Sequence, residues 1–219
     1  NKKKRVREIT DYIKFVFPML VLYILFFIFP LFQTIGYSFT DYNGINPRKE
    51  FTGLTNYVDV FQDKWFYNSM LFTGKSVILM ILLANVLGFL LALALNTKIK
   101  SRNILRAIVF CPFVFNNVTV GFIWQFLLGR FMTDLYPLTG WKVFNIGWLS
   151  DSSLVLYSVV FVKLWQSIGY FMVIYLAGLQ LLPQDPLEAA VLDGCTGIKM
   201  IRYITIPLMK PTAFVCIFL

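Results

Sequence analysis

Two groups of polar residues interrupt an otherwise very apolar chain. The first is Lys163, Gln166, Ser167 and Tyr170. Their i, i+3, i+4 and i+7 spacing puts them on one face of a helix, with Trp165 at its border. None is an activated nucleophile or half of a carboxylate pair. Their chemistry is hydrogen bonding beside aromatic rings, which suits a sugar. The second group lies in LPQDPLEAAVLDGCTGIKMIRYITIPLMKP, Leu182 to Pro211. It carries Glu188-Ala189-Ala190, then Gly194, then Ile206-Pro207. Here the chemistry is contact: a carboxylate, small residues that admit a close neighbour, and glycines that break a helix.

Most catalytic chemistry is excluded by what the sequence lacks. There is no histidine, which removes His-ligated haem, most zinc chemistry and a histidine general base. Cys111, Cys195 and Cys216 have no spacing that implies a disulfide framework or a metal site. No G-x-x-x-x-G-K-[ST] loop is present to hold nucleotide phosphates, so the chain is not expected to hydrolyse ATP by itself.

The contact stretch reads as a helix, a turn and a second helix. Pro183 and Pro186 fall at a helix start, where a missing N–H costs nothing. Glu188 is expected in the first turn, where the helix dipole favours it. Leu187, Val191 and Leu192 give an apolar face, and Gly194 and Gly197 end the helix through positive φ. Ile198–Ile204 is a second amphipathic segment, with Lys199 and Arg202 on one side. A polar hairpin between two spans needs a surface to meet; it packs under its own bundle or docks on a partner.

These groups must be positioned by membrane helices. Hydrophobic residues make up 58% of the chain, charged residues 14%, and mean hydropathy is +0.70, as in polytopic membrane proteins. Four spans of ~20 residues are expected, near 15–39, 76–95, 107–128 and 154–179. A fifth opens near Thr212. The chain starts at Asn1 and stops at Leu219 inside that run, which reads as a piece of a longer protein with at least one more span. The first span is too long for a cleavable signal peptide and reads as an anchor.

Most of the 20 basic residues fall on one side of the resulting topology. They are Lys2, Lys3, Lys4, Arg5, Arg7 and Lys14; Lys98, Lys100, Arg102 and Arg106; and Lys199, Arg202 and Lys210. The positive-inside rule then puts the N-terminus and the 182–211 loop in the cytoplasm. The net charge of +9 is therefore topological and implies no nucleic acid. Trp141 and Trp148 suit the outer interface. Residues 1–14 are a basic cytoplasmic segment, either a helix on anionic lipid or a flexible tail. Residues 15–219 form the transmembrane domain.

Other spans add candidates for the path of a solute. The third has Asn117, Gly121 and Gln125 at four-residue intervals, with Asn116 and Trp124 alongside, and Pro112 is expected to kink it. The second has Ala84, Gly88 and Ala92 at the same interval, a pattern for close helix packing, with Asn85 as interhelical glue. For Trp165, Gln166, Ser167, Tyr170, Asn117 and Gln125 two readings stand: lining of a wet cavity, or polar contacts between helices. For Lys163 alone, which costs roughly 2.5–3.5 kcal/mol at mid-depth, the second is preferred.

EAAVLDGCTGIKMIRYITIPLMKP resembles the cytoplasmic coupling (EAA) loop of permease subunits of bacterial ABC sugar importers. LWQSIGYFMVIYLAGLQLLP, FPLFQTIGYSFTDYNG and FTGLTNYVDVFQD resemble the span before that loop, the first span and the first outer loop of the maltose and glycerol-3-phosphate permease type. The resemblance covers most of the chain. It implies an all-α polytopic helix bundle in the bacterial plasma membrane, importing a sugar or oligosaccharide by alternating access. It further implies a second permease as heterodimer partner, two cytoplasmic ATPase subunits that bind the ATP and Mg, and an external, secreted or lipid-anchored substrate-binding protein. No cofactor belongs to this chain itself. Glu188, Ala189, Ala190 and Gly194 would be the ATPase-docking residues, and the polar stretch of the fourth span would contribute to the sugar site. The chain departs from the pattern at Cys195, Ile198, Ile201 and Asp185-Pro186. An ion-coupled secondary transporter is the alternative, against which stand the lack of Asp or Glu in the spans and of an evident inverted repeat.

Overall fold

The computed structural model describes residues 2–45, 49–97 and 99–219, with side chains from Tyr12 onward. The basic side chains of residues 2–7, and Lys98, lie outside the described residues. The backbone falls into two compact units, 1–70 and 71–219.

In the first unit, α1 (Lys2–Tyr23) runs as one helix from the basic segment into the first span. A π-helical turn, Ile24–Ile28, joins it to α2 (Phe29–Tyr37). The reason sits two residues on. Pro30 has no N–H to give the preceding turn, and its ring crowds that turn's carbonyls. The backbone widens ahead of it, and Phe29 N–H bonds to Ile24 O, five residues back. The Tyr12–Tyr37 stretch is long and apolar enough to cross a membrane. Beyond it the chain folds back through an isolated antiparallel bridge, Thr40 to Phe51, into α3 (Thr55–Gln62). Asn56 Nδ2 donates to Ser38 O and Thr40 O and pins this fold-back.

α4 (Lys64–Leu95) is longer than the 76–95 span expected from sequence. Its 32 residues reach about 48 Å, well beyond a ~30 Å hydrocarbon core. In the second unit it is followed by α5 (Arg102–Val114), α6 (Asn117–Gln125), α7 (Met132–Thr139) and α8 (Val155–Gln180), and it packs against α8.

The third expected span is not one kinked helix. α5 ends at Val114, and the axis turns by 93° before the helical path through α6 and α7. Pro112 withholds the N–H that would close the last turn. Phe115 and Asn116 are then extended, with ψ near 140° and 139°. Asn116 restarts the helix as its N-cap, Oδ1 accepting from Val118 N–H at 2.8 Å. The break falls at Phe115–Asn116, three residues past the proline.

α8 is the centre of this unit. Phe171, Met172, Tyr175, Leu176 and Leu179 are buried against Ala84, Ala92 and Leu95 of α4. Glycines bring the neighbours close. A Cβ at Gly88 would meet Phe171 Cβ at 2.8 Å, one at Gly169 would meet Phe110 Cα of α5 at 2.6 Å, and one at Gly178 would meet Thr212 Oγ1 at 2.6 Å. The Ala84–Gly88–Ala92 interval is thus the packing surface its spacing indicates. Asn85 also acts as glue, its Oδ1 accepting from Tyr175 OH across the α4–α8 seam. Tyr175→Phe is expected to cost about 1 kcal/mol, the usual scale of such a bond between membrane helices. The check is a thermal melt of the detergent-purified chain, which should fall by a few degrees; no shift would mean the bond adds nothing to α4–α8 packing.

The segment between α7 and α8 is ordered by polar contacts. Trp148 Nε1 donates to Val143 O, and buried Ser158 donates to Trp148 O at 2.7 Å. Ser153 donates both Oγ–H and N–H to Asp151, which holds that carboxyl below its usual range.

Candidate functional site

After α8 the chain turns at Pro183 into α9 (Gln184–Leu192). The first turn holds Asp185, so Glu188 lies one residue beyond it, a correction to the sequence reading. The helix starts directly after extended Pro183, and Pro186 is accommodated among N–H groups that have no intrahelical partner. Glu188 and Ala189 are exposed, and Ala190 is buried.

Gly194 ends the helix as its spacing indicates, whereas Gly197 precedes the first residue of the next helix. Their φ values are +76° and +58°, where residues with a Cβ are disfavoured. Gly194 N–H bonds to Val191 O, and Cys195 N–H to Ala190 O. The second helix begins as α10 (Ile198–Met200), widens into a π turn at Ile201–Thr205 ahead of Pro207, and continues as α11 (Ile206–Leu208). α12 (Lys210–Phe218) then leaves at 63°. Thr205 and Met209 are buried and anchor the hairpin.

The apolar face expected at Leu187, Val191 and Leu192 is divided. Leu187 is half-buried, but Leu192 is 88% exposed, Ile198 is 81% exposed and Val191 is open too. Bare aliphatic side chains beside Glu188 are what a docking surface presents.

The second group lies where α8 passes the α5–α6 break. Lys163 Nζ donates to Asn117 Oδ1 at 3.3 Å, and buried Gln166 donates through Nε2 to Phe115 O at 3.1 Å. Ser167 turns its hydroxyl to Lys163 O at 2.7 Å. These residues, with Asn116, Phe113, Phe115 and Met80, line an open cavity of about 530 Å3. Contact between helices and lining of a cavity are combined in the same side chains. The carbonyl that Gln166 satisfies is one that the break leaves free.

Three other candidates stand apart. Tyr170 is stacked on Phe113, with ring centres 4.7 Å apart and planes 9° from parallel, and is not part of the cavity wall. Trp165 packs edge-on against Trp124. Gln125, the last residue of α6, is exposed and outside the cavity, although its neighbour Trp124 packs on Phe161 and Trp165 of α8. Sequence reading missed Met80, Phe113 and Phe115. The usable signal was a polar pair, Asn116-Asn117, just after Pro112 within an apolar run, which marks a helix restart.

Comparison with known proteins decides what this arrangement belongs to. The model of the binding-protein-dependent transport system inner membrane component family matches residues 84–219. The chain belongs to this family. A probable starch degradation products transport system permease of Thermoanaerobacterium thermosulfurigenes is 36% identical over all of this chain and 74% of its own length. The trehalose/maltose transport system permease of Thermococcus litoralis is 30% identical over all of this chain and 75% of its own. In fold, the chain is similar to the crystal structure of a bacterial ABC transporter that imports the acidic polysaccharide alginate. The TM-score is 0.79 at 22% identity, over 97% of this chain and 72% of that one. This ABC importer permease is a multi-pass membrane transport subunit and not an enzyme. The ion-coupled alternative finds no support among its relatives.

Proposed function

We propose that this permease carries a sugar or oligosaccharide inward by alternating access, with the 182–211 hairpin as its link to a cytoplasmic ATPase. The observation that carries the coupling role is the exposed α9 hairpin, with Glu188 one turn from open Val191 and Leu192. The carbohydrate class is supported by relatives whose names specify starch degradation products and trehalose/maltose. The positive-inside distribution puts the N-terminus and the hairpin in the cytoplasm, and the membrane is the bacterial plasma membrane. A second permease completes the pathway as a heterodimer, two ATPase subunits bind ATP and Mg, and an external binding protein delivers the solute. A structure similar in fold holds a periplasmic binding protein loaded with alginate pentasaccharide. ATPase closure draws on Glu188, Ala189, Ala190 and Gly194 and opens the α5–α6–α8 cavity outward.

The test is co-purification of the tagged, full-length chain in mild detergent, for wild type and Glu188→Lys. An ATPase subunit is expected with the wild type and at least about tenfold less with the variant, since reversing a charge at a contact removes one interaction and adds a repulsion. An ATPase retained by both would remove Glu188 from the interface. No ATPase with the wild type would overturn the coupling role.

A further inference from the structure

Among the described residues Lys163 forms no ion pair. Its recorded partner is the neutral Asn117 amide oxygen. None of the residues lining the two cavities it borders is acidic. The sequence explains why: no Asp or Glu occurs from Lys64 to Thr133, from Ser152 to Gln184, or after Asp193. A lysine at this depth in a bilayer is costly unless something compensates its charge.

The adjacent backbone leaves the imbalance standing. α6 begins at Asn117, so the positive end of its dipole faces the same cavity as the ammonium group. The carbonyl end of α5 lies at the same break, with Phe115 O taken by Gln166, so the two helix ends largely offset each other and supply no counter-charge. Asn116, Asn117, Gln166 and Ser167 add neutral polar groups, and Phe113 and Phe115 add rings that can meet the apolar face of a sugar. The wall therefore carries a full positive charge and no acidic side chain, an arrangement that an anion completes.

We propose that the solute moved past Lys163 is an anionic carbohydrate, whose carboxylate or phosphate pairs with this lysine. The inference rests on the importer function above and narrows its substrate class.

The test uses the complete importer, with its own second permease, ATPase and binding protein, in proteoliposomes. Uptake is followed for trigalacturonate and trimannuronate as carboxylate probes, maltose 6′-phosphate as a phosphate probe, and maltotriose as a neutral one. The wild type is expected to take up a charged probe in preference to maltotriose, and which one distinguishes carboxylate from phosphate. Lys163→Gln should lower uptake of that probe about tenfold or more, mainly through KM, while Lys163→Arg keeps most of it. Preference for maltotriose, or equal uptake of the charged probe by wild type and Lys163→Gln, would overturn the proposal. So would loss of the second permease from the Lys163→Gln complex, which would place the lysine's counter-charge on that subunit. An importer stimulated only by a non-carbohydrate solute would instead fail the sugar function itself.

Discussion

Gly169→Leu should leave almost no monodisperse protein after solubilisation. A side chain at this position meets Val109 O and Phe110 Cα of α5, and backbone atoms cannot rotate aside as a side-chain tip can. The two helices would have to separate, which opens the seam beside buried Phe171 and Met172 and moves Gln166 away from Phe115 O. Overpacking of this kind costs about 3 kcal/mol or more, a large part of the stability of an ordinary domain. Gly121→Ala is the control. It is also a helical glycine, but nothing lies within 4 Å of its would-be Cβ, and alanine is the better helix former. Fluorescence-detected size exclusion of both variants checks the pair. A wild-type profile for Gly169→Leu would mean that α5 and α8 do not approach as closely as described.

The second large effect is expected at Gly194. Its φ of +76° ends α9, and no atom lies within 4 Å of the position a Cβ would take. A substitution there changes backbone preference and nothing else. Valine is strongly opposed in this conformation, by about 1–2 kcal/mol, whereas asparagine visits it routinely. Gly194→Val should therefore reach the membrane at wild-type levels yet transport at less than about a tenth of the wild-type rate, because the turn no longer sets α9 against the second helix of the hairpin. Gly194→Asn should retain most transport. Uptake by cells carrying each variant, normalised to membrane content, measures this; full transport by the valine variant would show that the turn is dispensable for coupling.

Much of the fold could be read from the chain because its causes are local. The apolar runs that became α1–α2, α4 and α8 needed only length and hydropathy, and Gly194 needed only the rule that a helix ends where φ turns positive. The Ala84–Gly88–Ala92 spacing exposed a packing surface before its partner was known. The break at Phe115–Asn116 was harder, since a hydropathy window averages across two extended residues. With the break unplaced, cavity membership could not be assigned either: Gln125 shares a helical face with Asn117 but sits at the wrong end of a short helix, and Phe113 and Phe115 enter because the chain turns. Tyr170 lies on the expected face of α8, yet what covers it is Phe113 from another helix. Gly169 went unremarked because the closeness of an approach depends on what stands opposite. The hairpin's coupling role came from resemblance, which no periodicity supplies.

The widened turns ahead of Pro30 and Pro207 have one further consequence. An i→i+5 turn holds an extra residue, and one residue is about 100° of rotation around a helix axis. Everything after Thr205 is accordingly out of phase with everything before Ile201. A helical wheel drawn straight through 198–218 puts Lys199 and Arg202 in false register with Met209 and Cys216. Drawn as two wheels, it lets the charged side face outward while Thr205, Met209 and Cys216 are buried. Each proline thus works as a phase shifter, letting one continuous stretch of chain show a different side to its surroundings above and below the turn.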